Sequence, residues 1–168
     1  GLGVIRDYGK SLPLLLELDP NEFPIINTWI GEAYQYGGDT LSVDLEKAKI
    51  YHHKALNDGF IVSLINLGSL ETGLGNYSEG LNYFEKALSK FSNKENYDLG
   101  LHISTLISLL YNYNNLDRHD MVIETGEKAL ILLGKIKKED VNSNKSYWIT
   151  KEAEVLKNIG HSRILKDD

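Results

Sequence analysis

Apolar residues recur along this chain with the period of a helix. Over 43–58, Leu45, Ala48, His52, Ala55 and Leu56 share one face at i, i+3, i+4 spacing. The stripe returns as Leu81, Phe84, Ala87, Leu88 and Phe91 over 78–91. It returns again as Leu99, Ile103, Leu106, Leu110 and Tyr113 over 99–113, and as Val122, Ala129, Leu130 and Leu133 over 121–133. One more amphipathic stretch, Tyr147 to Leu165, closes the chain. No segment alternates apolar and polar residues for long enough to make a strand. The pattern predicts about eight helices, short links and no sheet.

Turn chemistry separates the stripes. The breaks fall at Gly37-Gly38-Asp39, Asn57-Asp58-Gly59, Gly75-Asn76, Ser92-Asn93 and Asn114-Asn115. Gly75 is expected to take a positive φ, which costs glycine nothing. Asn76, with Glu79 three residues on, predicts a capping box for the next helix. The polar run 134–146 is expected to be a loop.

The helices come in pairs, and the pairs are alike. Ile30-Gly31, Tyr34, Ala48, Tyr51 and Ala55 recur as Leu67-Gly68, Gly80, Phe84 and Ala87, then as Leu109-Leu110, Tyr113, Val122 and Ala129. The closing alanines, Ala55, Ala87 and Ala129, lie 32 and 42 residues apart. Self-similarity near that period signals a stacked helical repeat.

On these residues the chain resembles the tetratricopeptide and Sel1-like repeat families. Residues 62–88 resemble a tetratricopeptide repeat without a gap, through Leu64, Leu67-Gly68, Gly75, Tyr77, Gly80, Phe84 and Ala87. Residues 30–59 are more similar to the Sel1-like variant, through Ile30-Gly31, Tyr34, Gly37, Asp44, Lys47-Ala48, Tyr51, Lys54-Ala55 and Gly59, with one extra turn residue. The segment Leu16 to Asn21 is similar to the end of a preceding repeat. The third pair departs from the pattern. Leu110 stands where a small glycine is usual, Val122 for alanine and Gly126 for an aromatic, so a looser helix contact is expected there.

The resemblance implies an all-α, right-handed solenoid of stacked antiparallel helix pairs in one domain, 1–168. Its divisions are a partial unit 5–20, repeats 23–59 and 60–92, a longer repeat 97–136, and a capping or truncated helix 146–166. Gly68 and Gly80 would face each other where two helices cross. Glycine inside a helix costs about 1 kcal/mol against alanine. Close packing of Leu64, Leu67 and Phe84 would return more, at roughly 1.5–3 kcal/mol per buried large side chain.

Composition narrows the function. The 168 residues are 42% hydrophobic and 25% charged, an ordinary globular balance with room for a real core. No cysteine is present, which excludes disulfides, thiol nucleophiles and thiolate metal sites and fits the cytoplasm. The net charge of −6 argues against general nucleic-acid binding, which needs clustered cations. The charge is uneven: 134–166 carries eight Lys/Arg against four Asp/Glu, while 1–60 carries five against nine. No run approaches the roughly 18 apolar residues of a membrane span, so no membrane partner is expected. The opening Gly1-Leu2-Gly3 reads as the trimmed start of a longer chain.

A search for chemistry finds no catalytic or cofactor-binding constellation. Gly73-Leu74-Gly75 and Gly1-Leu2-Gly3 follow no strand and end in no Gly-Lys-Ser/Thr. His52 and His53 are adjacent, so on a helix they diverge by about 100° and cannot share a metal. His102 and His119 fall near different ends of one pair. Asp117 and Asp120 flank a turn, where capping explains them. The sequons at Asn76 and Asn144 match by pattern alone. The chain is therefore expected not to be an enzyme and to hold no metal or cofactor.

Ten tyrosines are the one enriched feature. Tyr34, Tyr51, Tyr77, Tyr83 and Tyr113 fall at packing positions, whereas Tyr36, Tyr111 and Tyr147 do not. Tyrosine offers large contact area with few rotatable bonds, which suits a binding surface. The resemblance implies that the first helix of each pair lines a concave groove for a protein or peptide. The lining positions would be Thr28, Glu32, Gln35 and Tyr36, then Ile65, Asn66, Ser69 and Thr72, then Ile107, Ser108, Tyr111 and Asn114, with Lys157, Asn158 and His161 at the end. Relatives that clamp chaperone C-termini use Lys and Arg around an asparagine. Asn66 fits, but Thr28, Ser104 and Ser108 stand where cations are needed, so acidic C-termini are not expected to bind. Two rivals remain at this stage: a peptide-sensing module of a bacterial regulator, and a cytoplasmic immunity-type protein that neutralises a toxin. The Trp148–Leu165 stripe also permits self-association.

Overall fold

A computed structural model describes residues 7–91, 98–139 and 145–167. The Ser92-Asn93 turn, Asn144 and the opening Gly1-Leu2-Gly3 lie outside the described residues. Within them the chain is helical: α1 (Tyr8–Leu16), α2 (Ile26–Tyr36), α3 (Leu45–Asn57), α4 (Ile61–Gly73), α5 (Tyr77–Lys90), α6 (Leu99–Asn115), α7 (His119–Glu139) and α8 (Lys145–Asp167). The described residues contain no strand, only an isolated bridge between Gly38 and Leu41.

The expected loop over 134–146 is corrected. α7 runs on to Glu139 and α8 begins at Lys145. The reason is that Ile136, three residues past the fully buried Leu133, is itself buried and extends the apolar stripe by one turn. The lysines and Glu139 around it are good helix formers.

Side-chain caps start three helices. Asp7 accepts from the Lys10 amide at 3.2 Å, Asp44 from Lys47 at 3.0 Å and Asp98 from Leu101 at 2.8 Å. α5 departs from its predicted capping box. Asn76 occupies the N-cap position, but its side chain makes no cap bond. Its amide instead donates to Glu71 Oε2 at 2.9 Å, where it satisfies a carboxylate that is 2% exposed.

Three helices end alike. In α3, α4 and α6 an amide reaches back five residues: Phe60 to Ala55, Asn76 to Glu71 and Arg118 to Tyr113, at 2.9–3.1 Å. The residue before each donor is left-handed: Gly59 at φ 91°, Gly75 at 81° and Asp117 at 52°. Gly75 thus takes the positive φ expected of it. Asp117 is a left-handed closing residue rather than the cap predicted from sequence.

The chain forms two compact units, Gly1–Leu70 and Glu71–Asp168, divided within α4. In the first, α2 packs against α1 and α3. Its core is Leu12, Ile26, Ile30 and Ala33, with Tyr8, Leu15, Tyr34, Leu41 and Tyr51 against it. In the second, α5 packs on α6, α6 on α7 and α7 on α8, and α6 also touches α8. Leu110 and Val122, the unusual residues of the third pair, are fully buried. Gly126 gives its space to α8, since a Cβ there would stand 2.7 Å from Ile159 Cγ1. No helix of the described residues is long and apolar enough to cross a membrane.

Candidate functional site

The twelve predicted lining residues separate into two kinds. Most are occupied in holding helices side by side. In the first unit the Thr28 and Ser63 hydroxyls share a hydrogen bond at 3.4 Å, and Asn66 donates to Glu32 Oε1 at 3.5 Å. In the second, Thr72 donates to Asn112 Oδ1 at 2.9 Å. Asn114 there donates to Asn158 Oδ1 at 2.6 Å and accepts from the Ser162 hydroxyl. Thr28, Ile65, Asn66 and Ile107 are buried and present almost no surface. Glu32, Ser69, Thr72, Ser108 and Asn114 are partly buried, and the Ser108 hydroxyl turns back to the Ser104 carbonyl at 3.1 Å. Of the three added positions, Asn158 is partly buried, whereas Lys157 and His161 are exposed.

Gln35 is taken by His52, which the sequence places on the apolar face of α3. Its Oε1 accepts from His52 Nε2 at 2.9 Å. A carbonyl oxygen only accepts, so Nε2 carries the proton and Nδ1 is a bare acceptor. Nδ1 is buried without a partner and lies against Gly31. Burial, and then the neighbouring His53, push the His52 pKa down to about 4. This imidazole is a neutral wedge between α2 and α3.

Tyr36 and Tyr111 are the second kind. Each is 55% exposed, and each is backed by another tyrosine. Tyr8 stacks on Tyr36 at 6.1 Å between ring centroids in the first unit, and Tyr77 meets Tyr111 edge-on at 6.2 Å in the second. The tyrosines assigned to packing behave differently. Tyr113 is 4% exposed, donates to Glu85 Oε1 at 3.0 Å and has its pKa pushed up to about 12, first by burial and then by that bond. Tyr34 and Tyr51 stack at 5.8 Å, with Lys47 and Lys54 over their rings.

The second unit also holds an open pocket of about 370 Å³ between the end of α5, the first turns of α6 and the middle of α7. Sequence reasoning missed it, because its walls come from three helices and no local pattern marks it. Phe91 and His102 stack there at 4.9 Å with an 8° interplanar angle. Burial and then Lys135 lower the His102 pKa, which favours the neutral ring. Among the described residues, no cluster of three or more His, Asp or Glu could hold a metal ion. No protein-family model matches this chain, and neither a curated protein nor a solved structure does.

Proposed function

We propose that this chain is a binding module of the tetratricopeptide or Sel1-like kind, a right-handed stack of helix pairs that holds a protein or peptide partner. Each unit presents one anchor on a first helix, Tyr36 in the first unit and Tyr111 in the second. The observation that carries this reading is the pair of half-exposed tyrosines, each fixed by a second tyrosine. A large amphipathic ring held in place before binding loses little entropy when a partner arrives. Most other lining residues act as scaffold: Thr28, Glu32, Gln35, Asn66, Thr72 and Asn114 spend their polar groups between helices, and Ile65 and Ile107 are buried.

The partner is not an acidic C-terminus. Thr28 stands where a carboxylate clamp needs a cation, and it is 2% exposed. Titration with an acidic C-terminal peptide should show no binding tighter than roughly 10 μM, about −6.8 kcal/mol. The anchoring role is tested by placing a photoreactive benzoylphenylalanine at position 36, at position 111, or at the exposed control Ser89. Crosslinks to one partner from 36 and 111 but not from 89 support the reading. Crosslinks from 89 alone move the site to α5.

A second copy of the chain is the partner that α8 favours. Val155, Ile159 and Ser162 of α8 are buried. Another face carries Ile149, Ala153, Leu156, Gly160 and Ile164, all exposed. This series runs large, small, large, small, large. An antiparallel two-fold contact centred near Leu156 would set Ala153 against Gly160 and Ile149 against Ile164 of the second copy.

A further inference from the structure

Polar groups are scarce around the second unit's pocket. Leu106 and Phe91 are buried in its walls, with Leu88 and Leu132 partly buried beside them. His102 is flattened against Phe91, and among the described residues the one charged group in the lining is Lys128. Lys128 and Ile131 are both largely exposed, so they stand at the mouth. Water gains little in such a space, because an ordered water needs two to four polar partners. The pocket is open to solvent, and an apolar group that displaces water held by so few polar partners gains affinity.

The charge at the mouth selects among apolar ligands. Lys128 pairs with Glu124 at 2.7 Å, one helical turn away on the same exposed surface. Such a pair is weak and exchanges its acceptor readily. Lys135 is close enough to His102 to oppose its protonation, so a second cation lies near the site. An uncharged apolar molecule would make no use of these two cations, and a cationic one would gain nothing from them.

We propose that this pocket binds a small amphipathic monoanion, a medium-chain aliphatic carboxylate, with its chain against Leu88, Phe91, Leu106 and Leu132 and its carboxylate on Lys128. The site is independent of the tyrosine anchors and stands whether or not they bind a partner.

Calorimetric titration of the full chain at pH 7.5 with hexanoate, octanoate and decanoate, each below its micellar concentration, tests this. The expected result is one saturable site, tightening about fourfold per added methylene until the pocket is full. Lys128→Gln should weaken decanoate about fivefold and leave 1-decanol unchanged. Leu132→Trp, which fills the space, should abolish binding while the helical circular dichroism is kept. Absence of saturable binding for all three acids overturns the proposal. So does equal affinity for decanoate and 1-decanol in both wild type and Lys128→Gln. Should Leu132→Trp fail to fold, the chain-length series and the Lys128 comparison decide alone.

Discussion

Gly31 of α2 lies against the imidazole of His52 in α3, so closely that a Cβ on Gly31 would stand 2.6 Å from both Cε1 and Nδ1. His52 is fully buried and held by Gln35, so it has nowhere to move. Gly31→Ala should therefore destabilise the protein by about 1–2 kcal/mol, overpacking outweighing alanine's better helix propensity. In a His52→Ala background the same change should be neutral or stabilising. A double-mutant cycle by urea denaturation reads this coupling directly.

The same imidazole makes stability depend on pH. Its folded pKa of about 4 lies below the ordinary 6.5, so the unfolded chain takes up the proton first. The stabilisation is complete above pH 6.5 and is lost as pH falls from there towards 4. At about 1.4 kcal/mol per unit, the loss is of order 3 kcal/mol. His102 is lowered too and contributes with the same sign. Urea midpoints between pH 7 and 4 should fall steeply for wild type and more gently for His52→Leu.

The recurrent helix ending gives paired predictions of opposite sign. Gly75 has a φ of 81° and open space around its Cα, so Gly75→Ala meets only backbone strain and should cost about 1 kcal/mol. Asp117 sits at the equivalent place with a φ of 52°. Asp117→Gly should relieve that strain and add up to about 1 kcal/mol. Thermal melts of the two variants should move in opposite directions.

Self-association through α8 is expected to respond to one charge. Leu156 is 53% exposed near the centre of the α8 stripe. Sedimentation velocity should show a concentration-dependent dimer in wild type and only monomer in Leu156→Glu, with equal helicity. A monomer in both would leave the stripe without a second copy.

The helices were legible in the sequence because their apolar stripes are regular and their turns are marked by glycine and asparagine. The end of α7 was not, since the apolar stripe continues there through a single residue, Ile136, set in a run of charges. The split among tyrosines was legible too. Those at packing positions proved buried or partly buried, while Tyr36, Tyr111 and Tyr147 are exposed. The lining positions were read less completely. Sequence spacing places Thr28, Asn66, Thr72 and Asn114 on first helices, but it does not say that a neighbouring helix will use their polar groups. Asn76 shows the same limit: it has the residue type and position of a cap, yet Glu71 takes its side chain.

The most direct measurement is an affinity capture from source lysate with wild type beside the Tyr36→Ala/Tyr111→Ala double variant, followed by titration of the purified partner. Each substitution removes one ring pair, so the double variant should lose about 1–3 kcal/mol and still fold, which circular dichroism checks. The account predicts a partner that wild type binds and the folded variant loses. A partner held equally by both would contradict it and move the function away from the paired tyrosines.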